Sequence, residues 1–131
     1  NAMEAILEAR SKGIIRSCNN IGRGGIAAAI MKMALSSNYG FRVEIDKVPG
    51  TAQTETGILF SETTGRYLAE VTETNQDEFV SIMANHRVSA VELGLTTFEQ
   101  IAHFGSFKIK MEAAREIYTK TLANRMQSIT K

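Results

Sequence analysis

The sequence is poor in cysteine, which can cross-link a chain, and in proline, which restricts its backbone. Its 131 residues include one of each and no tryptophan. Because Cys18 is the single cysteine, no disulfide can form within the chain, which favours a cytoplasmic compartment. No apolar run approaches the roughly 20 residues that a membrane-spanning helix needs, and no secretory signal is visible. These absences exclude a disulfide-stapled scaffold and argue against a membrane protein.

The sequence also has no excess of charge of either sign, since it contains 15 basic and 14 acidic residues and its net charge is +1. Proteins that grip nucleic acid need clustered lysine and arginine, so this balance argues against nucleic acid as a partner. The hydrophobic share of 44% and the charged share of 22% are typical of a globular protein. A chain of this length forms one domain with a sizeable core, not two.

The first two residues resemble a cloning remnant. Asn1-Ala2 precedes Met3, and we set residues 1–2 apart from the fold. A helical pattern begins directly after Met3, which is typical of a domain excised from a longer polypeptide. The sequence therefore predicts a single excised domain over residues 3–131.

Apolar periodicity, glycine positions and β-branched runs predict helices and strands in mixed order. The predicted helices cover 4–12, 25–37, 54–60, 75–84 and 111–126. The predicted strands cover 14–18, 41–46, 66–71 and 88–94, followed by a hairpin of 98–104 and 107–110 around Gly105-Ser106. Because helices and strands do not strictly alternate, we predict an α+β fold, a mixed β-sheet flanked by helices.

A glycine-rich turn follows the first predicted strand, written Asn19-Asn20-Ile21-Gly22-Arg23-Gly24-Gly25-Ile26-Ala27. Gly22, Gly24 and Gly25 can present backbone N–H groups at a helix start, which attracts phosphate, and Arg23 can add a charged contact. The turn matches neither the P-loop nor the dinucleotide fingerprint. We therefore favour the plainer interpretation, in which glycine serves the backbone angles of a tight connection.

A second polar segment, Ser61-Glu62-Thr63-Thr64-Gly65-Arg66, lies between two apolar runs. Ser61 and Glu62 suit a sugar hydroxyl or an amide, and Arg66 suits either a ligand phosphate or Glu62 itself. The alternative is a loop that satisfies its own polar groups, with Glu62 bonded to backbone N–H groups or to Arg66. The chemistry of these residues leaves both interpretations open.

No catalytic or metal-binding arrangement is visible in the sequence. His86 and His103 are the only histidines, and no spacing of ligand residues indicates a metal site. Cys18 has no activating neighbour beyond Arg16, so we predict a buried, unreactive thiol. The sequence thus predicts neither a catalytic residue nor a metal ligand.

In this order and spacing, the two polar motifs resemble the phosphoribosylformylglycinamidine synthase family, in particular the C-terminal domain of its second internal half. That family has a turn written His-Asp-x-Ser-x-Gly-Gly-Leu/Ile-Ala, a helix with Ala-x-x-x-Met-Ala, and then Leu-Phe-Ser-Glu-Ser-x-x-Arg-Phe/Tyr. The counterparts here are residues 19–27, Lys32-Met33-Ala34 and residues 59–67. The resemblance covers most of residues 14–95 and implies the fold of the aminoimidazole ribonucleotide (AIR) synthetase C-terminal domain.

The resemblance implies part of an ATP-dependent ligase of purine biosynthesis. The family converts formylglycinamide ribonucleotide to the amidine with ammonia from glutamine, after ATP has phosphorylated the formamide oxygen. The implied partners are the preceding domains of the same polypeptide, a glutaminase subunit and a small accessory subunit. ATP and magnesium act in the parent enzyme at regions that precede Met3, and neither is expected to bind this chain.

Two departures limit what the resemblance carries over. Asn19, Asn20 and Gly22 replace the family's His-Asp-x-Ser, so the turn has no acidic role, and residues 61–63 match the duplicate of a substrate-binding element from the first internal half. The resemblance therefore implies a mainly structural domain, without synthase activity in isolation, that keeps a residual phosphate or nucleotide contact. The residues implied for this contact are Gly22, Arg23, Gly24, Gly25, Ser61, Glu62 and Arg66.

Two alternatives from other classes stay open. The first is a standalone nucleotide- or phosphate-binding domain, with Arg23 and Arg66 as the anion contacts. The second is an interaction module with an apolar surface that self-associates. Ligand-induced thermal stabilisation that Arg66→Ala abolishes favours the first, and a size that depends on concentration favours the second.

Overall fold

The computed structural model describes residues 1–50, 54–62 and 65–130, which contain five α-helices and six β-strands. The helices are α1 (Ala2–Ser11), α2 (Gly25–Leu35), α3 (Glu55–Phe60), α4 (Gln76–Asn85) and α5 (Met111–Thr130). The strands are β1 (Ile15–Ile21), β2 (Gly40–Val43), β3 (Arg66–Val71), β4 (Gly94–Thr97), β5 (Ile101–Phe104) and β6 (Phe107–Lys110). None of these helices is long and apolar enough to span a bilayer.

The strands form two sheets within the described ranges. β1 pairs antiparallel with β3, and the other four strands form a sheet in the order β4-β2-β5-β6. In that sheet β2 runs parallel to β5 and antiparallel to β4, so the sheet is mixed, as predicted. Together with the packed helices, this arrangement confirms the predicted α+β fold. The β5–β6 hairpin also turns between Phe104 and Phe107, as predicted.

The main hydrophobic core lies between α2 and the inner faces of both sheets. The buried side chains of α2 recur at helical spacing, which is the stripe that the sequence shows. From Phe41 to Val43 on β2 the burial alternates, because successive side chains of a strand point to opposite faces. The buried residues of this core include Ile26, Ile30, Ala34, Phe41, Val43, Ala102, Phe104 and Met111.

Several predicted boundaries are wrong. The strand predicted over 41–46 ends at Val43 and is followed by a 3-10 helix, Ile45–Lys47, and the strand predicted over 98–104 begins at Ile101. The predicted strand over 88–94 is a connection up to residue 93, because Val88 packs against one hydrophobic cluster and Leu93 against the other. The predicted first strand, 14–18, continues to Ile21, since residues 19–21 pair with residues 66–68 of β3. Cross-strand hydrogen bonding there outweighs the turn preference of two asparagines.

The helix starts differ in detail from the sequence patterns. Asn75, the first residue of the helix predicted over 75–84, is the N-cap of α4, but its side chain makes no capping hydrogen bond. Asn1, which was set apart from the fold, caps α1 through a capping box with Glu4. A capping box satisfies two backbone N–H groups that a helix start leaves without partners, so residues 1–2 belong to the fold of α1.

A second hydrophobic cluster lies between α1 and α4 and contains Ala5, Ala9, Ile14, Ile82 and Met83. At its rim a side-chain pair that the sequence did not predict joins the two helices. Glu8 Oε2 lies 2.5 Å from His86 Nε2, and Glu8 Oε1 lies 3.3 Å from Lys12 Nζ. These hydrogen bonds, that of His86 foremost, lower the pKa of the Glu8 carboxyl from its usual 4.5.

We expect the Glu8 carboxylate to make stability depend on pH. Because its pKa is lower in the folded state, its contribution is complete above the usual value of 4.5 and is lost as the pH falls through the folded value. Glu8→Gln should therefore lower the urea midpoint at neutral pH and flatten its decline in acid. Urea titrations over this pH range measure the effect, with Glu112→Gln on α5 as the control. A midpoint difference that stays constant with pH would contradict the assignment.

Candidate functional site

The glycine-rich turn enters α2 through two left-handed residues. Gly24, the N-cap, has φ of 83° and Gly25 has φ of 68°, a region that residues with a Cβ rarely adopt. The N–H of Gly25 donates to the carbonyl of Gly22 at 3.0 Å. The backbone conformation therefore accounts for Gly24 and Gly25, as the plainer interpretation of the turn expected.

Gly25 also lies close against the backbone at the end of α3. A Cβ built on Gly25 would lie 2.6 Å from the carbonyl oxygen of Leu59 and 2.8 Å from that of Ser61. The two polar motifs therefore meet backbone to backbone at this glycine. A methyl group there would force α2 and the α3 end apart.

A hydrogen bond closes the same junction at the turn. The backbone N–H of Gly24 donates to Glu62 Oε1 at 2.8 Å, across 38 positions of sequence. A carboxylate at this position faces the positive end of the α2 dipole, where an anion is stabilised. The chain's own carboxylate thus lies where a bound phosphate would contact the turn. We call this contact between Glu62 and Gly24 the Glu62 clamp.

The two arginines of the site have different surroundings. Arg66 is half-buried, and its Nη2 donates to the carbonyl of Ser61 at 2.8 Å. The Glu62 carboxylate accepts a hydrogen bond from a backbone N–H group. Such a group is one of the two partners that the self-satisfied loop predicted for it. Arg23 is exposed, and within the described ranges no hydrogen bond or ion pair engages its guanidinium. Thr63 and Thr64, which complete the second motif, lie outside the described residues.

The remaining candidates lie apart from this junction. Cys18 is exposed, so its predicted burial is wrong: β1 alternates, and Cys18 falls on the face that α2 does not cover. Desolvation nevertheless raises the pKa of its thiol, more than the charge of Arg10 lowers it, which disfavours the reactive thiolate. His103 Nε2 lies 3.4 Å from Glu99 Oε1. No three His, Cys, Asp or Glu residues in the described ranges are grouped to hold a metal ion.

The sequence identified the members of the junction but not which of them meet. No local sequence pattern predicts a contact between residues 38 positions apart. The sequence also left two kinds of partner open for Glu62. The signal that indicates the junction is the pair of adjacent glycines, because one glycine after another at a helix start suggests close backbone approach.

Residues 2–103 match the family described as AIR synthase related protein, C-terminal domain. Similar proteins include the phosphoribosylformylglycinamidine synthase subunit PurL of Thermococcus gammatolerans, 38% identical over 73 residues, or 56% of this chain and 10% of that protein. PurL of Corynebacterium glutamicum is 34% identical over 100 residues, 75% of this chain and 13% of that protein. The chain therefore spans about a tenth of the length of these relatives.

The solved structures that resemble this chain have the same fold. Thermotoga maritima PurL complexed with AMPPCP matches 87% of this chain and 21% of its own, with a TM-score of 0.77 and 19% identity. The complex with FGAR matches 87% and 20%, with a TM-score of 0.76 and 20% identity. These matches confirm the fold that the sequence resemblance implied, and the family match confirms the resemblance itself.

Proposed function

The chain belongs to the family of AIR synthase related C-terminal domains, and from that premise we propose that it is one domain of a phosphoribosylformylglycinamidine synthase. In this proposal the parent polypeptide is the ATP-dependent ligase that converts formylglycinamide ribonucleotide to the amidine in purine biosynthesis. Relatives named PurL support it, one of them 38% identical over 73 residues. Since the chain spans a small part of these relatives, the activity belongs to the longer polypeptide.

The observation that carries the proposal is the junction of the two motifs on which the resemblance depends. They are far apart in the sequence, yet the Gly24 N–H donates to the Glu62 carboxylate at 2.8 Å. Gly25 packs against the backbone of residues 59–61 in the same place. An arrangement that uses both motifs at one junction explains why both occur together in this chain.

We assign the domain a mainly structural role, which closes the second internal half of the ligase. In the Glu62 clamp the carboxylate of the chain itself accepts a hydrogen bond from the Gly24 N–H at the start of α2. The next N–H group, that of Gly25, donates to the carbonyl of Gly22 within the turn. A ligand phosphate would have to displace Glu62 to reach the Gly24 N–H. The residual phosphate or nucleotide contact proposed for residues 22–25, 61, 62 and 66 is therefore weak while the clamp is closed.

The cofactors and partners of the parent enzyme belong to the same proposal. ATP use is supported by Thermotoga maritima PurL complexed with ATP, and joint action with other subunits by the PurLQS structure from that organism. We propose a glutaminase subunit, a small accessory subunit and the preceding domains as partners, in the cytoplasm. We also propose that magnesium acts with ATP in the parent enzyme, at regions outside this chain.

The isolated chain is expected to show no synthase turnover. Its described residues contribute the Glu62 clamp but no arrangement of nucleophile, base and orienting group. The assay supplies formylglycinamide ribonucleotide, ATP, magnesium and ammonia, and follows formation of phosphate and of the amidine. Complete Thermotoga maritima PurL in parallel serves as the positive control. Turnover by the chain alone would place the chemistry within these residues and contradict a structural role.

Removing the Glu62 carboxylate is expected to strengthen phosphate binding. Glu62→Ala frees the Gly24 N–H and removes a negative charge, which should raise the affinity for inorganic phosphate by about tenfold. A second change, Arg23→Ala, should reverse this gain. Titration by phosphorus NMR measures the affinity, and Glu112→Ala, at another helix start, is the matched control. Unchanged affinity in Glu62→Ala would contradict competition between the clamp and phosphate.

The phosphate titration also separates the alternative function. A standalone nucleotide-binding domain would bind ATP or phosphate tightly with Glu62 in place, and Arg66→Ala would abolish that binding. The exposed guanidinium of Arg23 is the observation that favours this alternative. Binding of the unaltered chain that saturates at micromolar ligand would therefore support it over the structural role.

We also propose that the isolated chain self-associates. Several large apolar side chains are exposed, and Phe98 is the most exposed of them at 88%. Exposed apolar surface of this kind commonly marks an interface.

A further inference from the structure

The two edges of the four-stranded sheet differ in how they are protected. β6 carries Lys108 and Lys110 and leads directly into α5. Lysines on an edge strand discourage other strands from pairing with it, because pairing would desolvate their charges. β4, at the other edge, reads Gly-Leu-Thr-Thr over 94–97 and has no charge. In the described part of the chain no strand pairs with its outer edge.

Two exposed apolar side chains lie at this unprotected edge. Leu95 is 64% exposed and Phe98 is 88% exposed. Phe98 stands edge-on to Tyr39, with ring centroids 5.6 Å apart, so the aromatic ring is positioned although it is uncovered. A large apolar side chain held in place at an open strand edge is typical of a binding anchor.

We infer that β4 is a self-association surface, at which a second copy of this chain pairs antiparallel with the outer edge of β4. This inference rests on the self-association proposed above and names its surface. A two-fold axis perpendicular to the sheet passes beside Leu95, so that Leu95 lies opposite Leu95 of the second copy. The two four-stranded sheets then form one continuous sheet across an isologous interface.

The charges around β4 favour a second copy as the occupant. A two-fold axis perpendicular to the sheet keeps each side chain on its own face, so only positions of the same parity lie opposite each other. Glu92 and Glu99 have opposite parity and never face one another in this pairing. An uncharged strand also offers nothing to attract a strongly acidic or basic partner. No like charges therefore face each other in this pairing.

Two charge variants test the pairing of Leu95 with its counterpart. Within the chain Leu95 lies opposite Arg42 of β2, so Leu95→Glu gains a favourable neighbour and should fold. In a dimer it places two like charges opposite each other. Leu95→Lys does the same with the other sign, but within the chain its charge lies opposite that of Arg42, so its folding is checked separately. Each variant alone should raise the dimer dissociation constant by about tenfold or more. A mixture of the two should restore association, because opposite charges then meet.

Sedimentation equilibrium over about 1 µM to 1 mM measures these dissociation constants. Val80→Glu and Val80→Lys, at an exposed valine of α4, are the matched controls and should leave association unchanged. Circular dichroism confirms that each variant is folded. The inference requires weakened single variants and a restored mixture.

The contradicting results are distinguishable from one another. An unaltered chain that is monomeric at every concentration overturns both the self-association and its surface. Association that Leu95→Glu leaves unchanged overturns the β4 surface and leaves self-association standing. Single variants that weaken association without restoration in the mixture overturn the pairing of Leu95 with Leu95 of the second copy. None of these results bears on the proposed ligase function.

Discussion

Gly25→Ala is expected to lower the free energy of unfolding by about 2–5 kcal/mol. The left-handed backbone at Gly25, with φ of 68°, costs a residue with a Cβ about 1–2 kcal/mol. The new methyl group would also lie 2.6 Å from the carbonyl oxygen of Leu59, and such overpacking costs about 1–3 kcal/mol. The two costs add because they act on the same residue. The steric clash cannot be relieved by movement of a flexible side chain, because the neighbouring atoms belong to the backbone. Urea denaturation of the isolated chain at low concentration measures the loss.

Gly22→Ala provides the matched control in the same turn. Gly22 has no left-handed φ, and a Cβ built on it meets no heavy atom within 4 Å. The substitution restricts the unfolded chain, so stability should be unchanged or rise by up to about 1 kcal/mol. Equal losses in the two variants would show that glycine serves general flexibility in the turn. The close approach of α2 to the α3 end would then not be the reason for Gly25.

Phe104→Ala is expected to lower the free energy of unfolding by about 3–5 kcal/mol, the usual cost of removing a buried phenylalanine. Phe104 is 2% exposed, and its ring stands edge-on to Phe41 with centroids 5.0 Å apart. This pair joins the two parallel strands β2 and β5 on the core side of the sheet. The substitution therefore leaves a cavity on the core side of the mixed sheet. It also removes an aromatic contact that stabilises the fold beyond the burial of the ring.

Phe98→Ala is the control of the same chemistry. Phe98 also stands edge-on to an aromatic ring, that of Tyr39, but it is 88% exposed. Its removal should change the unfolding free energy by no more than about 0.5 kcal/mol when measured below the association range. A comparable loss from both phenylalanines would mean that the exposed pair is part of the core, and that the inner face of the sheet is not where stability is concentrated.

Local pattern was enough to predict the elements that show clear periodicity or turn chemistry in their own residues. The β3 strand, the apolar stripe of α2 and the β5–β6 hairpin follow in this way. Of the predicted stripe residues Ile26, Ile30, Met33 and Ala34, all but Met33 are buried. The resemblance carried by the two polar motifs supplied the family. The residues of both motifs lie at the junction of α2 and α3.

Other features depend on partners that are distant in the sequence. The segment from Val88 to Leu93 alternates like a strand, yet it connects two hydrophobic clusters and pairs with no strand in the described ranges. The Glu62 clamp joins residues 38 positions apart, and the contact between Glu8 and His86 spans 78. Cys18 was expected to be buried because free cysteine usually is, but the face on which it falls depends on the pairing of β1 with β3.

The most direct test of the central claim is the length of the native polypeptide that carries this sequence, measured by mass spectrometry on the protein from its source cells. If the chain is one domain of a longer ligase, the native polypeptide should be several times longer, because the relatives match this chain over 10% and 13% of their own length. A native polypeptide of no more than these 131 residues would contradict the ligase assignment and leave a standalone domain whose ligand is sought at the Glu62 clamp.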